Sequence, residues 1–79
     1  MQSLARFDEL RIDYEKAFER LCLEVAKLKS QEAADARPEV VAELRLRVEQ
    51  AENAYRQTRD ELAQLLMDHL RTTELEQVA

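Results

Sequence analysis

From Leu4 onward, large apolar residues recur at Phe7, Tyr14, Phe18, Leu21, Val25 and Leu28, with Arg11 in the one gap. The steps alternate between three and four, which is the spacing of a heptad seam on an amphipathic helix. Leu10 and Ala17 widen this stripe in its first half, and Cys22 borders it in the middle. A second seam runs through Val41, Leu44, Val48, Ala51, Tyr55, Thr58, Leu62, Leu65 and His69. Leu66 and Leu70 join it late, so the stripe drifts round the helix, as happens when a sequence departs from a strict seven-residue repeat. Ser3 is the expected N-cap of the first helix, its hydroxyl accepting from a free amide of the first turn.

Between the two seams lies SQEAADARPEV, residues 30–40, with the only proline of a chain that has no glycine. Continued in phase, the first seam would pass through Glu32, Asp35 and Glu39. Three carboxylates cannot line a dry interface without partners. The second seam also restarts out of phase with the first. A turn accounts for both facts. Arg37, preceding proline, is pushed away from helical geometry, and Pro38 fits the first position of a new helix, where its missing N–H costs nothing. Glu39 then falls in the first turn, where the helix dipole favours negative charge. The expectation is a single domain over residues 1–79: helix one over about 3–34, a turn at about 35–37 and helix two over about 38–77.

Folding about that turn aligns both seams in one antiparallel register. Leu28 faces Leu44, Val25 faces Val48, Leu21 faces Ala51, Phe18 faces Tyr55, Tyr14 faces Thr58 and Arg11 faces Leu62. Large side chains oppose small ones at two of these layers, as a packed core needs. The fold class expected is therefore all-α, an antiparallel two-helix hairpin. A hairpin protects its residues on one side only, so two hairpins pairing into a four-helix bundle is the expected assembly. The final segment RTTELEQVA overhangs the first helix, and its threonines favour fraying there.

Composition narrows the class further. Ala, Glu, Leu, Arg and Gln dominate, as in long helices and coiled coils. Charged residues make up 37% of the chain, which raises the question of disorder, but disordered segments lack regularly spaced large apolar residues. Seventeen acidic against twelve basic residues give a net charge of −5, which argues against a broad nucleic-acid-binding face. The lone Cys22 cannot form an internal disulfide. No segment reaches the ~20 apolar residues that cross a bilayer. The start of the chain has no signal-peptide-like apolar run, and a cytoplasmic location without membrane attachment is expected.

No constellation for catalysis emerges. Cys22 and His69 fall about 18 residues apart along the hairpin, roughly 27 Å at the helical rise. No paired-cysteine, paired-histidine or Glu-x-x-His motif occurs, so neither a metal nor a cofactor is expected. The carboxylates sit beside basic residues at helical spacing, as in Glu43 with Arg47 and Glu52 with Arg56, which is the pattern of a solvated face. His69 is expected at the seam edge beside Leu4. Arg11, at a core position, must snorkel outward or meet a carboxylate, with Glu15, Asp60 and Glu61 in reach. A single polar seam residue of this kind sets register or oligomer state. Arg11, with Leu10 and Leu66 on the flanks, is therefore expected to specify the oligomer.

Opposite the seams lie Ile12 and Leu23 on the first helix, and Leu46, Met67 and Leu75 on the second. They form the expected contact surface for a partner protein. The reading is a non-enzymatic interaction module, an adaptor, chaperone-like or assembly subunit, that self-associates as a homodimer and binds a partner helix. Two alternatives are a small regulator contacting nucleic acid through Lys27, Lys29, Arg37, Arg45 and Arg47 near the turn, and a subunit of a secreted helical filament. For the second, two helices about a proline-containing turn at this length are similar in architecture to needle-type secretion subunits, whose characteristic turn motif is missing here.

Overall fold

A computed structural model describes the backbone of residues 2–78 and the side chains of residues 5–72. Two helices, α1 (Gln2–Ala33) and α2 (Pro38–Val78), fold against each other as an antiparallel hairpin. At ~1.5 Å per residue a 41-residue helix spans about 60 Å, and α2 accounts for the longest dimension of the Cα trace, 63 × 17 × 14 Å. Neither helix contains a glycine or an interior proline to interrupt it. Ser3, the expected N-cap, lies inside α1, with its side chain outside the described ones. The threonine-containing overhang continues α2 to Val78, and Thr72 returns its hydroxyl to the Asp68 carbonyl at 3.0 Å.

The reversal is built from backbone hydrogen bonds. The Ala36 amide donates to the Gln31 carbonyl at 3.0 Å, and the Asp35 amide donates to the Glu32 carbonyl at 3.3 Å. This pair closes α1 as a Schellman motif. The motif needs a left-handed residue after the cap, and Asp35 supplies it with φ of 55°. Glycine would hold that conformation without a Cβ clash, and aspartate is among the few other residues that tolerate it. Arg37 then opens α2: its carbonyl accepts from Val40 at 3.0 Å and from Val41 at 3.2 Å. Pro38 occupies the first helical position, with Glu39 in the first turn.

The left-handed residue gives a direct test of the turn. Asp35→Gly is expected to raise stability by up to about 1 kcal/mol, and Asp35→Val to lower it by about 1–2 kcal/mol. Urea midpoints measure both. Equal midpoints for the two variants would contradict a left-handed Asp35.

Candidate interaction surface

Two rows of each helix form the contact. On α1 they are Phe7, Tyr14, Leu21 and Leu28 (the outer row) and Leu10, Ala17, Glu24 and Gln31 (the inner row). On α2 they are Val41, Val48, Tyr55 and Leu62 (outer) and Leu44, Ala51, Thr58 and Leu65 (inner). The most buried described residues, Ala51 at 0%, Leu10 at 3% and Glu24 at 7% exposure, all belong to inner rows. Every outer-row residue is only half-buried.

The α2 seam thus follows the expected residues as far as Leu65, whereas His69 is exposed. The α1 seam does not. Phe7, Tyr14, Leu21 and Leu28 are common to two possible phases. One takes in Arg11 and Phe18; the other takes in Leu10, Ala17 and Glu24. The chain adopts the second. Arg11 stays outside the core, with its side chain 48% exposed, bound to Glu15 of its own helix at 3.0 Å. Its expected place in the seam is corrected accordingly, and so is that of Phe18, which is 49% exposed. The physical gain is twofold. A guanidinium stays hydrated rather than desolvated, and the register sets small Ala17 level with large Tyr55.

The second phase has a cost, which falls on Glu24. Its Oε1 lies 3.8 Å from Lys27 Nζ, while Oε2 is buried with no hydrogen-bond partner. A carboxylate oxygen left without a donor loses its hydration without replacement. The polar residue inside the seam is therefore Glu24, not Arg11. Strict heptad counting from Leu10 through Ala17 reaches Glu24 and could have found it.

At mid-length three rings cluster. The Tyr14 and Tyr55 hydroxyls lie 3.0 Å apart, their ring centroids 5.2 Å apart, and Phe18 leans on Tyr55 at 5.8 Å. The hydrogen bond to Tyr55, aided by burial, holds the Tyr14 phenol above its ordinary titration range. Phe18 opposite Tyr55 is the register expected. Tyr14 meets Tyr55, one turn from the Thr58 expected to face it. Thr58 instead donates its hydroxyl to the carbonyls of Tyr55 at 2.9 Å and Ala54 at 3.2 Å.

Cross-helix ion pairs identify the two broad faces. Arg6 reaches Glu61 at 3.8 Å on one side, and Glu32 reaches Arg45 at 3.6 Å on the other. The first side is mostly polar: Arg6, Asp13, Arg20 and Lys27 flank α1, and Arg47, Glu61 and Asp68 flank α2 in one row with Val40 and Ala54. An open groove of about 260 Å³ there is lined by Arg6, Leu10, Glu61, Gln64, Leu65 and Asp68. The second side carries the half-buried outer rows. Beside them lie Phe18, Cys22 and Val25 of α1, and Leu66 and Leu70 of α2 at 43% and 58% exposure. Positions on a helix face follow from the 100° step per residue.

The residues expected to bind a partner are scattered. Ile12, Leu23, Leu46 and Met67 are exposed, but the first two lie on the back of α1 and the last two on the back of α2. The two backs point away from each other, so no single surface unites them. Leu75 lies outside the described side chains. Of the residues expected to specify the oligomer, Leu10 is buried within the hairpin itself, while Arg11 and Leu66 flank the apolar side. Phe18 is the surface residue that counting in the other phase concealed. Cys22 is exposed with a free thiol. Among the described residues no group of His, Cys, Asp and Glu could hold a metal ion, and no helix is long and apolar enough to cross a membrane. No protein-family model, curated protein or solved structure matches the chain.

Glu24 provides the energetic test of the observed phase. Glu24→Leu is expected to raise stability by about 1–3 kcal/mol, because an unpartnered buried oxygen is removed and apolar contact added. Thermal or urea unfolding measures it. A loss of stability of similar size would mean that the carboxylate is held by partners that outweigh its desolvation.

Proposed function

We propose that the chain is a non-enzymatic helical interaction module that associates with itself and with partner helices. One observation carries this reading. Leu10 and Ala51 are the only buried apolar residues among those described, whereas Phe18, Leu66, Met67 and Leu70 remain exposed. A chain of this size has little core to spare, so burial completed by another helical surface is the economical use of its sequence. Helix-in-groove recognition uses apolar residues at this spacing.

Three of the five basic residues near the turn, Lys27, Arg45 and Arg47, do not favour the nucleic-acid alternative. Lys27 lies beside Glu24, Arg45 beside Glu32 and Arg47 beside Glu43, so their charge is locally offset.

Sedimentation equilibrium tests the proposal. Self-association at micromolar concentration is expected, together with no retention on DNA or RNA at low salt. A strict monomer, or salt-sensitive nucleic-acid retention, would contradict it.

A further inference from the structure

Building on the proposed self-association, we infer that the covering surface is a second copy of this chain, seated on the broad face centred on Phe18. The hairpin is amphipathic in two directions at once. Its seam is apolar, as any helix pair requires. Its two broad faces, which a self-sufficient hairpin would both clothe in charge, differ in how many exposed large apolar residues they carry. One bears Arg6, Asp13, Arg20, Lys27 and Glu61, with Val40 its exposed large apolar residue; the other bears Phe18, Cys22 and Val25 at mid-length of α1 and Leu66 and Leu70 beyond its start, with charged residues between the two groups. The stripe on α1 accordingly widens on one flank only. A seam-only stripe belongs to a two-stranded coil, and a stripe widened on one flank belongs to a helix in a larger bundle.

Three features select a second copy as the occupant. The apolar face is continuous with the intramolecular contact: the outer rows supply one wall of the seam, and their uncovered side forms the floor of the face. Tyr55 shows this directly, meeting Tyr14 within the seam and Phe18 at the surface. The area also fits. The paired length is that of the 32-residue α1, about 48 Å at ~1.5 Å per residue, and with the 17 Å width of the hairpin it offers about 800 Å² per copy, the size of one partner's share of a standard specific interface. Finally, the anchor sits where a two-fold needs it. Phe18 lies close to the middle of α1 (Gln2–Ala33), so a two-fold axis across the face sets the middle of one α1 on the middle of the other, and each copy then covers the length along which the two helices are paired, leaving the overhanging end of α2 outside. Such an isologous pairing is the commonest closed assembly. Arg11, Arg56 and Arg59 with Glu15 and Glu52, which share this face, give it both signs of charge, so like faces meet without net repulsion of one sign.

Phe18→Asp and Ile12→Asp separate this face from the rest of the surface. Both residues are about half exposed on α1, but Ile12 lies on its back. Sedimentation equilibrium is expected to show at least a tenfold weaker dimer for Phe18→Asp and an unchanged dimer for Ile12→Asp. Cys22, one turn beyond Phe18, gives a readout in the unaltered protein. Its reaction with a disulfide reagent is expected to slow at least tenfold as concentration rises through the association range. Constant Cys22 reactivity across that range, or a dimer lost with Ile12→Asp and kept with Phe18→Asp, overturns the choice of face while leaving self-association standing. A protein monomeric at all concentrations overturns both.

Discussion

Two helices in contact shield only the strip along which they touch. Every other feature of this molecule is a response to that constraint. The inner rows lie deep enough to bury Leu10 and Ala51, but the outer rows cannot be closed by the two helices alone. Hydrophobic burial is the dominant favourable term in folding, at about 25 cal/mol per Å² of apolar surface. A half-covered outer row therefore leaves stabilisation available to whatever completes it. The opposite face, where Val40 is the exposed large apolar residue, has less to offer. The uncovered apolar surface of the hairpin thus lies mainly on one side.

Within the seam, polar groups limit how freely the helices can slide. Tyr14 and Tyr55 share a hydrogen bond at 3.0 Å, and slippage by one turn would leave both hydroxyls to find other partners. Thr58 turns its hydroxyl onto its own helix, which removes it from competition. Arg6–Glu61 and Glu32–Arg45 clamp the two flanks at opposite ends, though pairs this exposed contribute at most about 1 kcal/mol each. Glu24 works against the rest. The chain accepts an unsatisfied oxygen there in return for a phase that keeps Arg11 hydrated.

The hairpin was legible in the sequence because its signals are independent and agree. A proline suited to a helix start, a run of carboxylates where the seam should continue, and two stripes sharing one register all place the reversal near Asp35. The phase of α1 was less legible. Phe7, Tyr14, Leu21 and Leu28 belong to both candidate seams, and hydrophobicity favours Phe18 and Val25 over Ala17 and Glu24. Periodicity ranks residues by their own character, whereas the packed pair also weighs the size of the facing residue and the cost of desolvating a guanidinium. That one ambiguity moved Phe18 from core to surface and hid the apolar face. Ile12, Leu23, Leu46 and Met67 lie opposite the seams in either phase and share exposure but no common plane.

The central claim is that the chain doubles back at residues 34–37 and packs its two helices side by side. Spin labels at Glu19 and Asn53, both exposed and both on the backs of their helices, test it most directly. Pulsed electron paramagnetic resonance on labelled chains diluted into unlabelled protein isolates the distance within one chain. The hairpin predicts about 20–30 Å across two packed helices with axes 8–10 Å apart. A distance near 50 Å, the length of an uninterrupted helix between those residues, would contradict it.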